Sequence, residues 1–141
     1  MKIHGLNAWG VVIGFIVTFV SGGIWFGPKT FYPVWFKEKG LPLPTREEAK
    51  SPIYLFGGTI VSVIIEVMTI GIIVTSLQAH QPNIGILDGA GIGFALGFGI
   101  AAINSLPHRL FSHESYKVWI IECSNDVINM TLVGAIIAFM N

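Results

Sequence analysis

The sequence predicts an all-α protein: a four-helix bundle integral to a membrane, with both termini on the outer side. Three observations predict it. Of 141 residues, 52% are hydrophobic and only 11% charged, against about 25% charged in an ordinary soluble domain. Four apolar stretches, near 8–26, 54–77, 84–106 and 118–140, reach the roughly 20 residues a helix needs to cross a bilayer core. The basic residues are lopsided. Lys29, Lys37, Lys39, Arg46 and Lys50 follow the first stretch, Arg109 and Lys117 follow the third, and Lys2 alone stands on the other side. Basic loops are retained in the cytoplasm, so loop 27–53 and the turn around 109–117 are predicted inside. The length predicts one domain over 1–141.

The first stretch has a basic residue before it and small residues at Ser21, Gly22 and Gly23, as a signal peptide would. Trp25, Phe26, Phe31 and Trp35, with Tyr32 and Phe36, instead read as an interfacial aromatic belt beyond a retained helix. In the loop "GLPLPTREEAKSP", Pro42 and Pro44 interrupt any helix. Thr45 and Glu48 have capping-box spacing, which predicts a short surface helix over 46–50 before Pro52. "WFGPKTFYPVW" and "LPHRLFSHESYKVW" share a proline, a basic residue, a phenylalanine and a later tryptophan. They read as a faint parallel repeat or as shared interfacial chemistry.

Each stretch carries one stripe of small or polar residues. Gly10, Gly14, Thr18 and Gly22 recur along the first. Thr59, Ser62, Glu66 and Thr69 recur along the second. Gly85, Gly89, Gly93, Gly97 and Ala101 recur along the third, beside a second row of Gly91, Ala95 and Gly99. Glu122, Asp126 and Asn129, with Asn125 beside them, recur along the fourth. Small residues at this spacing let helix backbones approach closely, or leave room for water or a flat ligand. The polar stripes of the second and fourth stretches are predicted to face inward, because an aspartate at the centre of a membrane helix costs about 2.5–3.5 kcal/mol.

A rise of roughly 1.5 Å per residue places Glu66 and Asn129 near mid-membrane. Asp126 and then Glu122 follow towards the basic side, and Asp88 lies near the outer surface. No Lys or Arg is predicted inside a span to pair with these acids. Such a carboxylate takes up a proton or sits against water or a cation, which suits a proton or cation pathway through Glu66, Asp126, Asn129, Glu122, Asn125 and Asp88. Glu122 and Asp88 also fall near helix N-termini, where the helix dipole favours an acid for structural reasons.

The zero net charge points to no nucleic-acid partner. The lone Cys123 excludes an intrachain disulfide and reads as a small packing residue. His4, His80, His108 and His113 match no zinc spacing. The sequence holds no phosphate loop, nucleophile motif or dinucleotide fingerprint, so no catalytic residue, metal site or cofactor is predicted.

Two motifs flank the basic loops. Residues 22–40, "GGIWFGPKTFYPVWFKEKG", carry an aromatic pair, a proline, then Phe, Trp and Gly, at Trp25, Phe26, Pro28, Phe31, Trp35 and Gly40. Residues 110–122, "LFSHESYKVWIIE", carry Leu110–Phe111 and then Tyr116–Lys117. Together they resemble the domain of unknown function 1761 family of small bacterial four-helix membrane proteins. The resemblance implies four spanning helices and a bacterial inner membrane, and it supplies no reaction, ligand or active site. The family more often shows Asn and His where Glu122 and Asp126 stand, so those acids read as this chain's own variation.

The predicted function is permeation or transport of a small solute, proton or cation through a homo-oligomer with protonatable interior acids. The alternative is an accessory membrane protein that docks onto a partner complex through its glycine faces. An enzyme is the least supported class. The predicted partners are the lipid bilayer and further copies of the chain; the substrate is not legible.

Overall fold

The computed structural model describes residues 2–3, 5–40 and 52–141. The helix predicted over 46–50, together with His4, Arg46 and Lys50, lies outside the described residues.

A two-residue hairpin comes first, with β1 (Lys2–Ile3) antiparallel to β2 (Leu6–Asn7). Gly5 turns it at φ +89°, a region that glycine enters without strain. The hairpin sets Leu6 into the core, 4% exposed. Helix α1 (Ala8–Trp25) then starts because the Asn7 side chain accepts from the Trp9 N–H at 3.0 Å. Its last carbonyls are taken by the Thr30 hydroxyl, which donates to Ile24 and Trp25. Helix α2 (Tyr32–Lys39) follows and ends at Gly40, whose φ is +63°. The sequence reading missed α2, whose one aromatic-rich stretch carries no apolar period.

Helix α3 (Pro52–His80) and helix α6 (Tyr116–Met140) both outrun their predicted spans. Between them α4 (Ile86–Phe94), a π-helical segment (Ala95–Ala102) and α5 (Ile103–Phe111) form one rod. This rod continues past residue 106, the predicted end, with Pro107 inside it. Proline brings no backbone N–H. Near it the Ala102 carbonyl accepts from the Ser105 hydroxyl at 2.7 Å and from Trp119 Nε1 at 3.2 Å. Side chains thus serve backbone that regular helix pairing leaves short of donors. The two echoing motifs do not repeat structurally: Pro28 stands in the turn before α2, and Pro107 inside α5.

Helix α6 is the axis. It packs against α1, α3 and the α4 rod, whereas α3 and α4 barely meet. Of the most apolar window of each helix, 39% is buried in α6 and only 17–22% in the others. The core joins Val67, Ile70 and Val74 of α3 to Val133 and Ile137 of α6, capped by Leu6. Outward faces carry Trp9, Ile16, Ile65, Ile72, Leu87 and Phe139. The rod and α1, α3 and α6 are each long and apolar enough to cross a membrane.

The glycine stripe of the rod packs on α6 at Gly89, Gly93 and Gly97. A Cβ on Gly93 would overlap the Met130 carbonyl, and one on Gly97 would lie 3.0 Å from Val127 Cα. On α1, a Cβ on Gly10 would meet Ile137 at 3.2 Å and one on Gly14 would meet Val67 at 3.1 Å. Gly85 departs from the expectation: it is exposed at the start of α4 and touches no other helix. The expected contact at Ala101 moves to Ala102, which is 2% exposed while Ala101 is open. The wider π turn adds a residue per turn and rotates the buried face by one position.

Candidate functional site

The helices close at one end of the bundle and part at the other. At the terminal end, Asn7 Nδ2 donates to the Met140 carbonyl at 2.7 Å, and the Asn7 N–H donates to Asn141 Oδ1 at 2.8 Å. Asn141 Nδ2 donates to the Thr75 hydroxyl, and Gln78 Nε2 to the Ala138 carbonyl. These amides lace α1, α3 and α6 together above the Val–Ile core.

Below that core, α1 and α3 separate and a crevice of about 1080 Å³ opens between α1, α3 and α6. Two glycine pairs make the room: Gly22–Gly23 near the end of α1 and Gly57–Gly58 near the start of α3. Among the described residues, a Cβ at any of the four would meet nothing within 4 Å. The wall has an apolar part that includes Phe19, Phe26 and Phe56. Its polar part includes Glu66 of α3 and Asn125, Asp126 and Asn129 of α6. Among the described residues it contains two carboxylates and no Lys, Arg or His.

Several acceptors in this wall lack donors. Glu66 Oε1, Thr18 Oγ1, Asn125 Oδ1 and Asn129 Oδ1 are buried with no hydrogen-bond partner among the described residues. Thr18 is 6% exposed, Asn125 8% and Asn129 3%. An unsatisfied buried polar group costs about 1–3 kcal/mol, so four in one wall mark a surface made to meet something. Asp126 is more open, at the crevice rim. It hydrogen-bonds with the Asn125 side chain and lies within electrostatic reach of Glu66.

The predicted polar staircase therefore divides. Glu66, Asn125, Asp126 and Asn129 converge on the crevice. Glu122 does not, and it differs from the expectation of an acid without a basic partner. Its Oε2 meets Arg109 Nη2 at 2.5 Å, its Oε1 accepts from Trp35 Nε1 at 2.8 Å, and Lys39 lies 3.9 Å away. Arg109 also pairs with Glu114. The sequence by itself puts Arg109 in a loop, whereas in the structure it lies on α5. Asp88 is likewise outside the crevice; it accepts from the Gly85 N–H at 2.9 Å and so caps α4. Thr69, expected to face inward, is exposed and bonded to the Ile65 carbonyl.

The aromatic belt is tied to α6. Trp25 Nε1 donates to the Ile121 carbonyl at 3.0 Å, Trp25 meets Phe31 at a tilt with ring centroids 4.4 Å apart, and Phe26 meets Trp35 edge-on. Lys39 lies over the Trp35 ring. Glu38 of α2 accepts from Lys117 Nζ at 2.9 Å and from the Ser115 hydroxyl at 2.8 Å. These contacts hold α2 across the base of α6. Sequence reasoning missed the crevice's glycine doublets, although two such pairs at matching depth on successive helices were visible.

The fold and the crevice define a small helical bundle with four apolar helices of spanning length and a polar recess reached from one end. Within that class, the chain belongs to the DUF1761 family, described as a protein of unknown function, whose model matches residues 9–138. No curated protein and no solved structure matches the chain.

Proposed function

We propose that this is a multi-pass membrane protein of the bacterial inner membrane that permeates or transports a proton or small cationic solute through its Glu66–Asp126 crevice. The observation that supports the reading is the recess itself: an open space of about 1080 Å³ whose wall brings two carboxylates together with buried acceptors that lack donors. A dry structural bundle would have filled that space and paired those groups. The excess of basic residues on that side supports an orientation with the crevice mouth and α2 at the cytoplasmic face and both termini outside. Passage to the far side then requires a second arrangement, in which the Val67–Ile70–Val133 core and the amide clasp open.

A homo-oligomer is part of the same reading. The second glycine row, Gly91 and Gly99, meets nothing within 4 Å and lies beside exposed Phe94 and Phe98. A copy of this chain, or another membrane protein in an accessory role, would find a close-packing face there.

Reconstituted protein on a solid-supported membrane tests the function. A jump in proton or methylammonium concentration is expected to drive a transient current that Glu66→Gln and Asp126→Asn abolish. Absence of current from both ions overturns the reading. For topology, single cysteines at 109–114 in a Cys123→Ser background are expected to resist an impermeant thiol reagent in intact cells. Ready labelling reverses the orientation.

A further inference from the structure

Resting on that reading, we infer that the crevice binds an organic ammonium ion that carries an apolar, ring-sized body. Three independent features of the wall point to this class of ligand.

The first is the imbalance of donors and acceptors. Asn125, Asn129 and Thr18 line the recess, are each more than nine-tenths buried, and each keep a side-chain oxygen with no hydrogen-bond partner among the described residues. Glu66 Oε1 adds a fourth. A ligand that satisfies them brings several N–H groups from one centre, as an ammonium group does with its three donors.

The second is charge. Glu66 and Asp126 face the space, and among the described residues its wall has no basic side chain. Arg109, within electrostatic reach of Asp126, is spent on Glu122 and Glu114. A cation entering the recess meets carboxylates in surroundings of low dielectric, where charge-assisted hydrogen bonds are strongest.

The third is size and lining. A bare proton needs no space, and a dehydrated metal ion needs about six to eight oxygens at roughly 2.3–2.6 Å. Among the described residues no group of three His, Cys, Asp or Glu side chains gathers to hold a metal. The recess instead matches the upper end of small-molecule pockets, about 300–1,000 Å³. Phe19, Phe26 and Phe56 give it ring faces that suit both an apolar body and a cation. The ammonium group belongs between Glu66 and Asp126, and the body belongs along the phenylalanines towards the mouth.

The shared chemistry has two sources, a free amine or the ethanolamine headgroup of a lipid. The full chain purified in maltoside detergent is titrated with 2-phenylethylammonium by calorimetry. Saturable binding is expected, weakened at least about tenfold in Glu66→Gln and in Asp126→Asn. 2-Phenylethanol, of the same shape without the charge, is expected to give no saturable heat. Gly57→Leu guards against a folding artefact. Its side chain enters open space, so the variant is expected to keep or raise its melting temperature while filling the recess and losing the ligand. No saturation by the amine, equal affinity for the alcohol, or unchanged binding in Gly57→Leu overturns the inference. In nanodiscs, weaker amine binding in phosphatidylethanolamine than in phosphatidylcholine assigns the site to the headgroup; equal binding assigns it to a free amine. Amine binding without current removes the permeation reading and leaves this site. Proton current without amine binding does the reverse.

Discussion

Gly89 of α4 and Gly134 of α6 face one another so closely that a Cβ on either would overlap the carbonyl oxygen of the other. The contact is reciprocal: two helices lie backbone to backbone, and each glycine is there for its partner. Gly134 is the one glycine of α6, so no glycine stripe announced it.

Gly134→Ala and Gly93→Ala are expected to destabilise the bundle by about 1–3 kcal/mol, since the neighbour in each case is backbone and has no rotamer to yield. Gly91→Ala, in open space on the same rod, is expected to be neutral or to stabilise by up to about 1 kcal/mol through helix propensity. Thermal unfolding in one detergent compares the three. Equal losses at Gly91 and Gly93 would contradict the packed face.

Glu122→Gln is expected to weaken the junction of α2, α5 and α6 by about 1–3 kcal/mol, because it removes the carboxylate that Arg109 and Trp35 share. Faster hydrogen exchange in Tyr32–Lys39, with the Val67–Val133 core still protected, is the signature. Unchanged exchange in α2 would show that the aromatic contacts hold it alone.

Glu38 gives a pH dependence of known sign. Hydrogen bonds from Lys117 and then Ser115 hold its carboxyl below the ordinary 4.5. A depressed folded value means that the contribution is fully present above the unfolded value and is lost as pH falls through the folded one. The α2 tether is therefore expected to be intact at neutral pH and to loosen only as pH falls below the ordinary carboxylate value of 4.5. Glu38 is solvated, so added salt should shrink the effect. Amide exchange of α2 across pH 6 to 3 measures it, and Glu38→Gln should remove the step.

Trp119→Phe is expected to cost about 0.5–1.5 kcal/mol by deleting the indole N–H that serves the Ala102 carbonyl and the Ser105 hydroxyl. The loss should be local. Exchange should rise in Ala95–Phe111 and stay fixed in α3. Pro107→Ala in that background restores a backbone N–H and should recover part of the protection.

Asn7→Ala should cost about 1–2 kcal/mol, because one side chain both caps α1 and bonds the end of α6. Asn141→Ala should cost less, since it leaves the cap intact. Equal effects would mean that the clasp, not the cap, carries the stability.

The sequence by itself determined the four apolar helices, their approximate spans and the faces that pack. Length, composition and the spacing of Gly89, Gly93 and Gly97 are local properties that act before any contact forms. It also singled out Glu66, Asp126, Asn125 and Asn129 as polar groups in apolar surroundings. Only the tertiary structure decided which acids belong together. Glu122 and Asp126 lie one turn apart on α6, yet the first is taken by Arg109, 13 residues away in sequence, and the second opens to the crevice beside Glu66. Sequence spacing fixes which face of its own helix a side chain occupies. What meets that face depends on how neighbouring helices cross it. Here the rod runs on through α5 and brings Arg109 to Glu122, while four glycines leave open space between α1 and α3.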